Sequence, residues 1–255
     1  MRNVVKLLIV FISCHPTYSY QFTEDFNLGI YWSQLPIRFA KVAANTVEGR
    51  QLDSLVSKAE EEWEDVIGVE IWDAAEEHYI GSAPTANVIR WSNNFAAETG
   101  FSPDSTLAVT IRYRVGTFFD HFEIILNGEN QVLRQNFANM LHQVLLHELG
   151  HVLGIGHSER SPAVMEANLR GYNELKDDDS SAASAVYTET IRRQDTGFIS
   201  PLSTKKENET NALACGTIDM TSPPSGPGLF QVMLGFLLSF LLFANSSRQK
   251  MPTHG

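Results

Sequence analysis

Three histidines and a glutamate fall within eleven residues of this chain, in the run His147-Glu148-Leu149-Gly150-His151-Val152-Leu153-Gly154-Ile155-Gly156-His157. Imidazoles bind divalent metal ions, and a carboxylate beside them can act as a base, so the chemistry on offer is hydrolysis by a metal-activated water. If the run is helical, His147 and His151 stand one turn apart on one face and can grip a single ion. Gly154 sits where such a helix should stop. Glycine takes a left-handed conformation cheaply, and a turn there brings His157 back to the metal. Three neutral imidazoles leave zinc its full charge and an open fourth position, where a water has its pKa drawn down to about 7. Glu148 cannot face the ion as its neighbour does. It can accept that water's proton and pass it to a leaving amine, while the zinc polarises the scissile carbonyl and stabilises the oxyanion. By average residue usage, five specified positions at these spacings recur by chance in roughly one of 10^5 chains of this length, which sets coincidence aside.

The elements that must hold these residues are legible around them. Upstream, Phe137, Met140, Leu141, Val144 and Leu145 recur at helical intervals, with no proline from Gln131 to His157. Leu35 to Ala43 reads as a strand. Leu52 to Val66 reads as an amphipathic helix with Leu55, Ala59, Trp63 and Val66 on its apolar side and Glu60, Glu61 and Glu62 mainly on its wet side. Short apolar or alternating stretches, Val69 to Trp72, Ala86 to Trp91, Thr106 to Arg114 and His121 to Leu126, lie between Gly, Pro, Asn and Ser and read as strands. Strand, helix, several strands and then the histidine helix is the order of an α+β domain. No internal repeat is visible.

HExxHxxGxxH followed by a methionine-bearing turn, here Ser161-Pro162-Ala163-Val164-Met165, resembles the metzincin signature, and Ser158 after the third histidine is similar to the matrixin branch. The resemblance implies a metzincin catalytic domain: a twisted mixed sheet, an active-site helix and a C-terminal helix. It also implies one catalytic zinc held by His147, His151 and His157, with Glu148 as catalytic base and Met165 as an apolar floor beneath the ligands. Taken alone, Met165 equally reads as an ordinary core methionine. Leu175 to Asp179, leading to Ala185-Val186-Tyr187, is similar to the matrixin segment that opens the last helix. Physically, Asp177, Asp178 and Asp179 read as capping residues at a positive dipole end. In the family an extended substrate pairs as an added strand along a sheet edge bordering the cleft, and Thr106 to Arg114 is the matching stretch.

Departures from the family pattern are as informative. The propeptide motif in which a cysteine blocks the zinc is absent, for the two cysteines, Cys14 and Cys215, lie in other contexts. Glu166-Ala167 follows Met165 where many relatives carry an aromatic and a proline, and Ala167 excludes the tyrosine ligand of other branches. The specificity-pocket wall is not recognisable. The histidine and aspartate loop that binds structural zinc and calcium is missing, so calcium is unsupported. His121, with Asp120 and Glu123 nearby, reads as a surface or strand-end residue.

The chain has 255 residues, 43% of them hydrophobic, enough for one sizeable core. Residues 20–195 form the expected zinc peptidase domain. Before it, residues 1–19 read as a signal peptide, with two basic residues and an apolar run too short to span a bilayer. Two processings stand open there: cleavage near Ser19, or lipidation of Cys14 in an atypical lipobox that Phe11 fits poorly. After it come an expected flexible linker, 196–228, an apolar membrane or sorting segment, 229–244, and a basic cytoplasmic tail, 245–255, carrying Arg248 and Lys250. The Cys215-Gly216 pair, linker, apolar run and basic end resemble bacterial C-terminal sorting tails, pointing to a bacterial type of the family, with Cys215 either a processing or lipid site or a free linker thiol. The expected setting is export and tethering at the cell surface. A formal net charge of -11 excludes a basic nucleic-acid footprint. The expected partners are a protein or peptide substrate and a membrane; oligomeric state is not specified. Two function classes follow: a zinc-dependent metalloendopeptidase acting on extracellular proteins, or a zinc-binding surface adhesion or scaffold protein with weak turnover. Loss of Glu148 would mark the second, and Glu148 is present.

Overall fold

The computed structural model describes residues 20–42, 47–79, 87–204 and 213–218. The expected signal peptide (1–19), apolar segment (229–244) and basic tail (245–255) lie outside the described residues.

From the N-terminal side the chain forms a single helical turn α1 (Glu24–Asn27), β1 (Tyr31–Trp32), β2 (Ile37–Val42), α2 (Val47–Ile67), β3 (Trp72–Tyr79), β4 (Val88–Ser92) and the short α3 (Phe95–Thr99). A hairpin follows, β5 (Thr106–Val115) and β6 (Phe118–Asn127), then α4 (Gln131–Gln135), α5 (Phe137–Leu153), α6 (Asp177–Thr196) and β7 (Leu213–Ile218). Among the described residues, one mixed sheet in the order β3-β2-β4-β6-β5-β7, with β1 beside β6, gathers the strands. The pairs β2/β3, β2/β4 and β4/β6 are parallel, whereas β5 runs antiparallel to both β6 and β7. The expected mixed sheet, histidine helix and C-terminal helix are all present.

Helices α2, α5 and α6 pack together on the sheet. The apolar stripe of α2 penetrates furthest at Leu52, Val56, Ala59 and Trp63, while Leu55 and Val66 flank it, partly buried. Trp63 is fully buried and its Nε1 donates to the carbonyl of Leu146 in α5 (3.0 Å), so its ring joins the core without leaving a polar atom unpaired. Burying a side chain of this kind stabilises the fold by roughly 1.5–3 kcal/mol. Two expectations change here. Glu60, placed on the wet side of α2 by the sequence, is buried facing Lys41, because the position shares the α2 surface that covers the sheet. The segment expected as a flexible linker contains a 3-10 turn (Pro201–Thr204) and the strand β7, whose backbone is taken up by hydrogen bonding along β5.

Strand β5 is covered on both faces, which is why its sequence runs apolar instead of alternating cleanly. Val109 packs with Phe95 and Ile125 on the side of α3. Thr110 and Arg112 instead face α5, where they meet the histidine run.

Candidate metal centre

Helix α5 carries His147 and His151 on one face, as the four-residue spacing requires, and both are fully buried. The helix ends at Gly154 (φ +106°), where Ile155 N–H donates to the carbonyl of Gly150 (2.9 Å) and Gly154 N–H to that of His151 (3.0 Å). This is the Schellman arrangement, in which a left-handed residue reverses the chain. Glycine is required twice over, since a Cβ here would also fall 2.7 Å from the ring of Phe26.

The reversed chain is then pinned on both sides. Gly156 N–H donates to Gln21 O (2.7 Å) and Thr23 N–H to Gly154 O (2.8 Å), so the N-terminal segment laces along the turn. Ser158 N–H donates to Met165 O (2.7 Å), and Ser158 Oγ to Asp178 Oδ2 (2.6 Å). Between these anchors His157 swings back to α5, and one ligand atom from each of the three histidines lies within 4.8 Å of the others.

The donor set fits a metal ion. His147 Nδ1 is hydrogen-bonded to the carbonyl of Val164 and His151 Nδ1 to that of Ile155, each at 2.8 Å. A carbonyl only accepts, so these contacts put the proton on Nδ1 and leave the Nε2 lone pair free. Both Nε2 atoms are buried and make no hydrogen bond, a costly arrangement for a polar atom unless it serves as a ligand. Burial above all, with His157 close by, holds His147 down at about 3. Burial and the neighbouring His147, His157 and Arg112 hold His151 well below the ordinary imidazole value, and burial lowers His157. All three are therefore neutral near pH 7, the form that binds a metal.

Glu148 is also fully buried, and one of its carboxylate oxygens, Oε2, accepts from Thr110 Oγ1 on β5 (2.5 Å). Met165 is buried and packed against Gly150 of α5 so closely that a Cβ there would collide with its sulfur. The turn that carries Met165 is clamped by Asp179, whose carboxylate accepts from the backbone N–H groups of Val164 (2.8 Å), Met165 (3.0 Å) and Lys176 (2.9 Å). Asp179 thus caps α6 as expected and also fixes the methionine turn. Sequence reasoning missed that second duty, and it missed the buried pair of Arg112 and Asp25 (2.9 Å), through which Arg112 also donates to the carbonyl of His151 (2.9 Å). The signal for it was available: an arginine at a core-facing position of an apolar strand needs a buried partner. His121, expected at a surface or strand end, lies within β6, partly buried, paired with Asp120 and stacked on Tyr113 with ring centroids 4.1 Å apart.

The model of the matrixin family matches residues 31–188, more than half of the chain. Among solved structures, archaemetzincin from Methanopyrus kandleri is similar at 14% identity, over 63% of this chain and 97% of that one, with a TM-score of 0.35, a likeness too remote to say anything of chemistry. No curated protein shows a significant match.

Proposed function

The chain belongs to the matrixin family, and from that premise we propose that it is a zinc-dependent endopeptidase cutting extracellular proteins within the chain. The observation that carries this reading is the convergence of three neutral imidazoles, two with buried, unpaired Nε2 atoms, beside a carboxylate. His147, His151 and His157 would hold the zinc. When bound, zinc supplies Lewis-acid polarisation and makes water acidic enough to attack near pH 7. Glu148 takes the proton of the attacking water on a carboxylate oxygen as the new C–O bond forms at the scissile carbonyl. It then delivers that proton to the amine nitrogen as the C–N bond breaks, so the peptide is hydrolysed without net change in the enzyme. Thr110 holds one oxygen of Glu148, so the carboxylate meets the water in a fixed orientation. Met165 keeps the floor of the site apolar and dry.

Export and attachment by the C-terminal segment, in the bacterial manner, complete the proposal, on the strength of the apolar and basic runs at the two ends of the sequence. No helix among the described residues is long and apolar enough to cross a membrane. The test is digestion of an unfolded protein by the zinc-loaded full chain, read by mass spectrometry. Internal cleavages that a chelator stops are expected, with a loss of about 10^2–10^4-fold in Glu148→Ala while one zinc per chain is retained. Undiminished cleavage by Glu148→Ala would sink the assignment and point to a contaminating protease. Zinc binding without cleavage would favour the adhesion or scaffold reading.

A further inference from the structure

The sheet edge nearest the metal centre is occupied by the protein's own C-terminal segment. Strand β5 presents Thr110 to Glu148 and Arg112 to the carbonyl of His151, so its outer edge is the edge that an extended chain must follow to pass the three histidines. Along that edge lies β7, antiparallel, with Arg112 opposite Leu213, Thr110 opposite Cys215 and Thr106 opposite Ile218. The register carries the backbone of β7 across the level of Glu148, and β7 also comes within 8 Å of α5, Cα to Cα. A strand so placed satisfies the main-chain donors and acceptors that would otherwise recruit a substrate by strand addition. Glu148, which must meet water and substrate to work, is fully buried in this arrangement.

We propose that Leu213–Ile218 is an autoinhibitory strand that holds the substrate edge of β5 until it is displaced. The inference rests on the endopeptidase reading and adds its regulation. Because the segment belongs to the same chain, it competes intramolecularly, with an effective concentration that does not fall on dilution. A free substrate has to outcompete it at every encounter. The device works through backbone pairing, so it depends on the strand conformation and on amide donors, and it is weakened by any change that denies either.

The test compares the zinc-loaded full chain with two full-length variants. In one, Ala214→Pro and Cys215→Pro remove consecutive N–H groups, so whichever of the two positions bonds to β5 loses its donor. In the other, the six residues of β7 are replaced by a glycine-serine stretch of equal length. Zinc content and melting temperature check that the domain is intact. The expected result is a rise of about tenfold in kcat/KM toward an unfolded protein in both variants, with faster hydrogen exchange confined to the β5 amides from Thr106 to Arg112. A synthetic peptide spanning Asn211 to Met220, added in trans, should inhibit the variants competitively and stay uncut. Equal kcat/KM in wild type and variants, with unchanged exchange in β5, overturns the proposal and leaves the endopeptidase reading intact. Cleavage of the segment by its own chain, or of the peptide by the variants, overturns it as well, since β7 would then be a substrate. Zinc-loaded proteins that are all as inactive as Glu148→Ala overturn the endopeptidase reading, and the inhibitory role with it.

Discussion

The carboxylate of Glu148 accepts a hydrogen bond from the hydroxyl of Thr110, and its dependence on that bond is measurable. Thr110 Oγ1 donates to Glu148 Oε2 inside a site without solvent exposure, so a valine at 110 keeps the shape of the side chain and removes the donor. Thr110→Val should lower kcat by about tenfold, the value of one hydrogen bond to a charged group, with zinc stoichiometry unchanged and with recovery in Thr110→Ser. Unaltered kcat in the valine variant would mean that Glu148 is positioned by other contacts. Glu60 offers a second single-residue test, far from the chemistry. Burial pushes its carboxyl up from 4.5 to about 7, with Lys41 pulling the other way and neighbouring acids adding to the rise. The folded state therefore binds this proton more tightly than the unfolded state. Its stabilising contribution is whole below about pH 4.5 and is lost as pH rises through 7. Glu60→Gln should leave the melting temperature near pH 4 unchanged and raise it at pH 8, by an amount corresponding to at most about 3 kcal/mol. Parallel melting curves for the two proteins across that range would contradict the buried-carboxyl account.

Among the elements, the histidine helix was the most legible, because its apolar positions at helical spacing and its terminal Gly154 report local geometry that a sequence encodes directly. The opening of α6 was only half legible. Three aspartates at a helix start announce a cap, and Asp179 does accept from the N–H of Lys176, but a carboxylate has lone pairs to spare and nothing local says where they go. They go to Val164 and Met165, fixing the methionine turn from the far side of the site. Asp179→Ala leaves the two N–H groups of this buried turn without partners, so it should cost about 3 kcal/mol by denaturant titration. It should also weaken zinc binding by about 10–100-fold in a competition assay, since the carbonyl of Val164 orients His147. A stability loss with intact zinc affinity would separate the turn from the metal centre. β7 was not legible at all. Leu213 to Ile218 is six residues long, includes a glycine and stands between a charged stretch and a Pro/Gly-rich one, so every local signal reads as tether. Its strand character comes from the open edge of β5, a partner about a hundred residues away in sequence, and pairing across such a distance leaves no periodic mark on the segment itself.

For the molecule as a whole, the three imidazoles are the point at which distant stretches of chain meet. The N-terminal segment is bonded to the turn at Gly154 and Gly156, α5 supplies two histidines, the methionine turn accepts from His147, and α6 holds that turn through Asp179 and Ser158, the residue after His157, through Asp178. An ion bound at the centre would tie these segments together in the folded state and find no such site in the unfolded chain, so its binding energy becomes folding energy. With zinc at a thousand times its dissociation constant the linkage amounts to about 4 kcal/mol. Chelation should therefore lower the melting temperature by several degrees, and stoichiometric zinc should restore it. The accompanying increase in hydrogen exchange should concentrate in Ile155 to Met165, the stretch whose anchors converge on His157, and should spare the parallel half of the sheet. If chelation left both the melting temperature and that stretch unchanged, the histidines would be a packing feature of the core, and the cost of their unpaired Nε2 atoms would have to be met by other contacts.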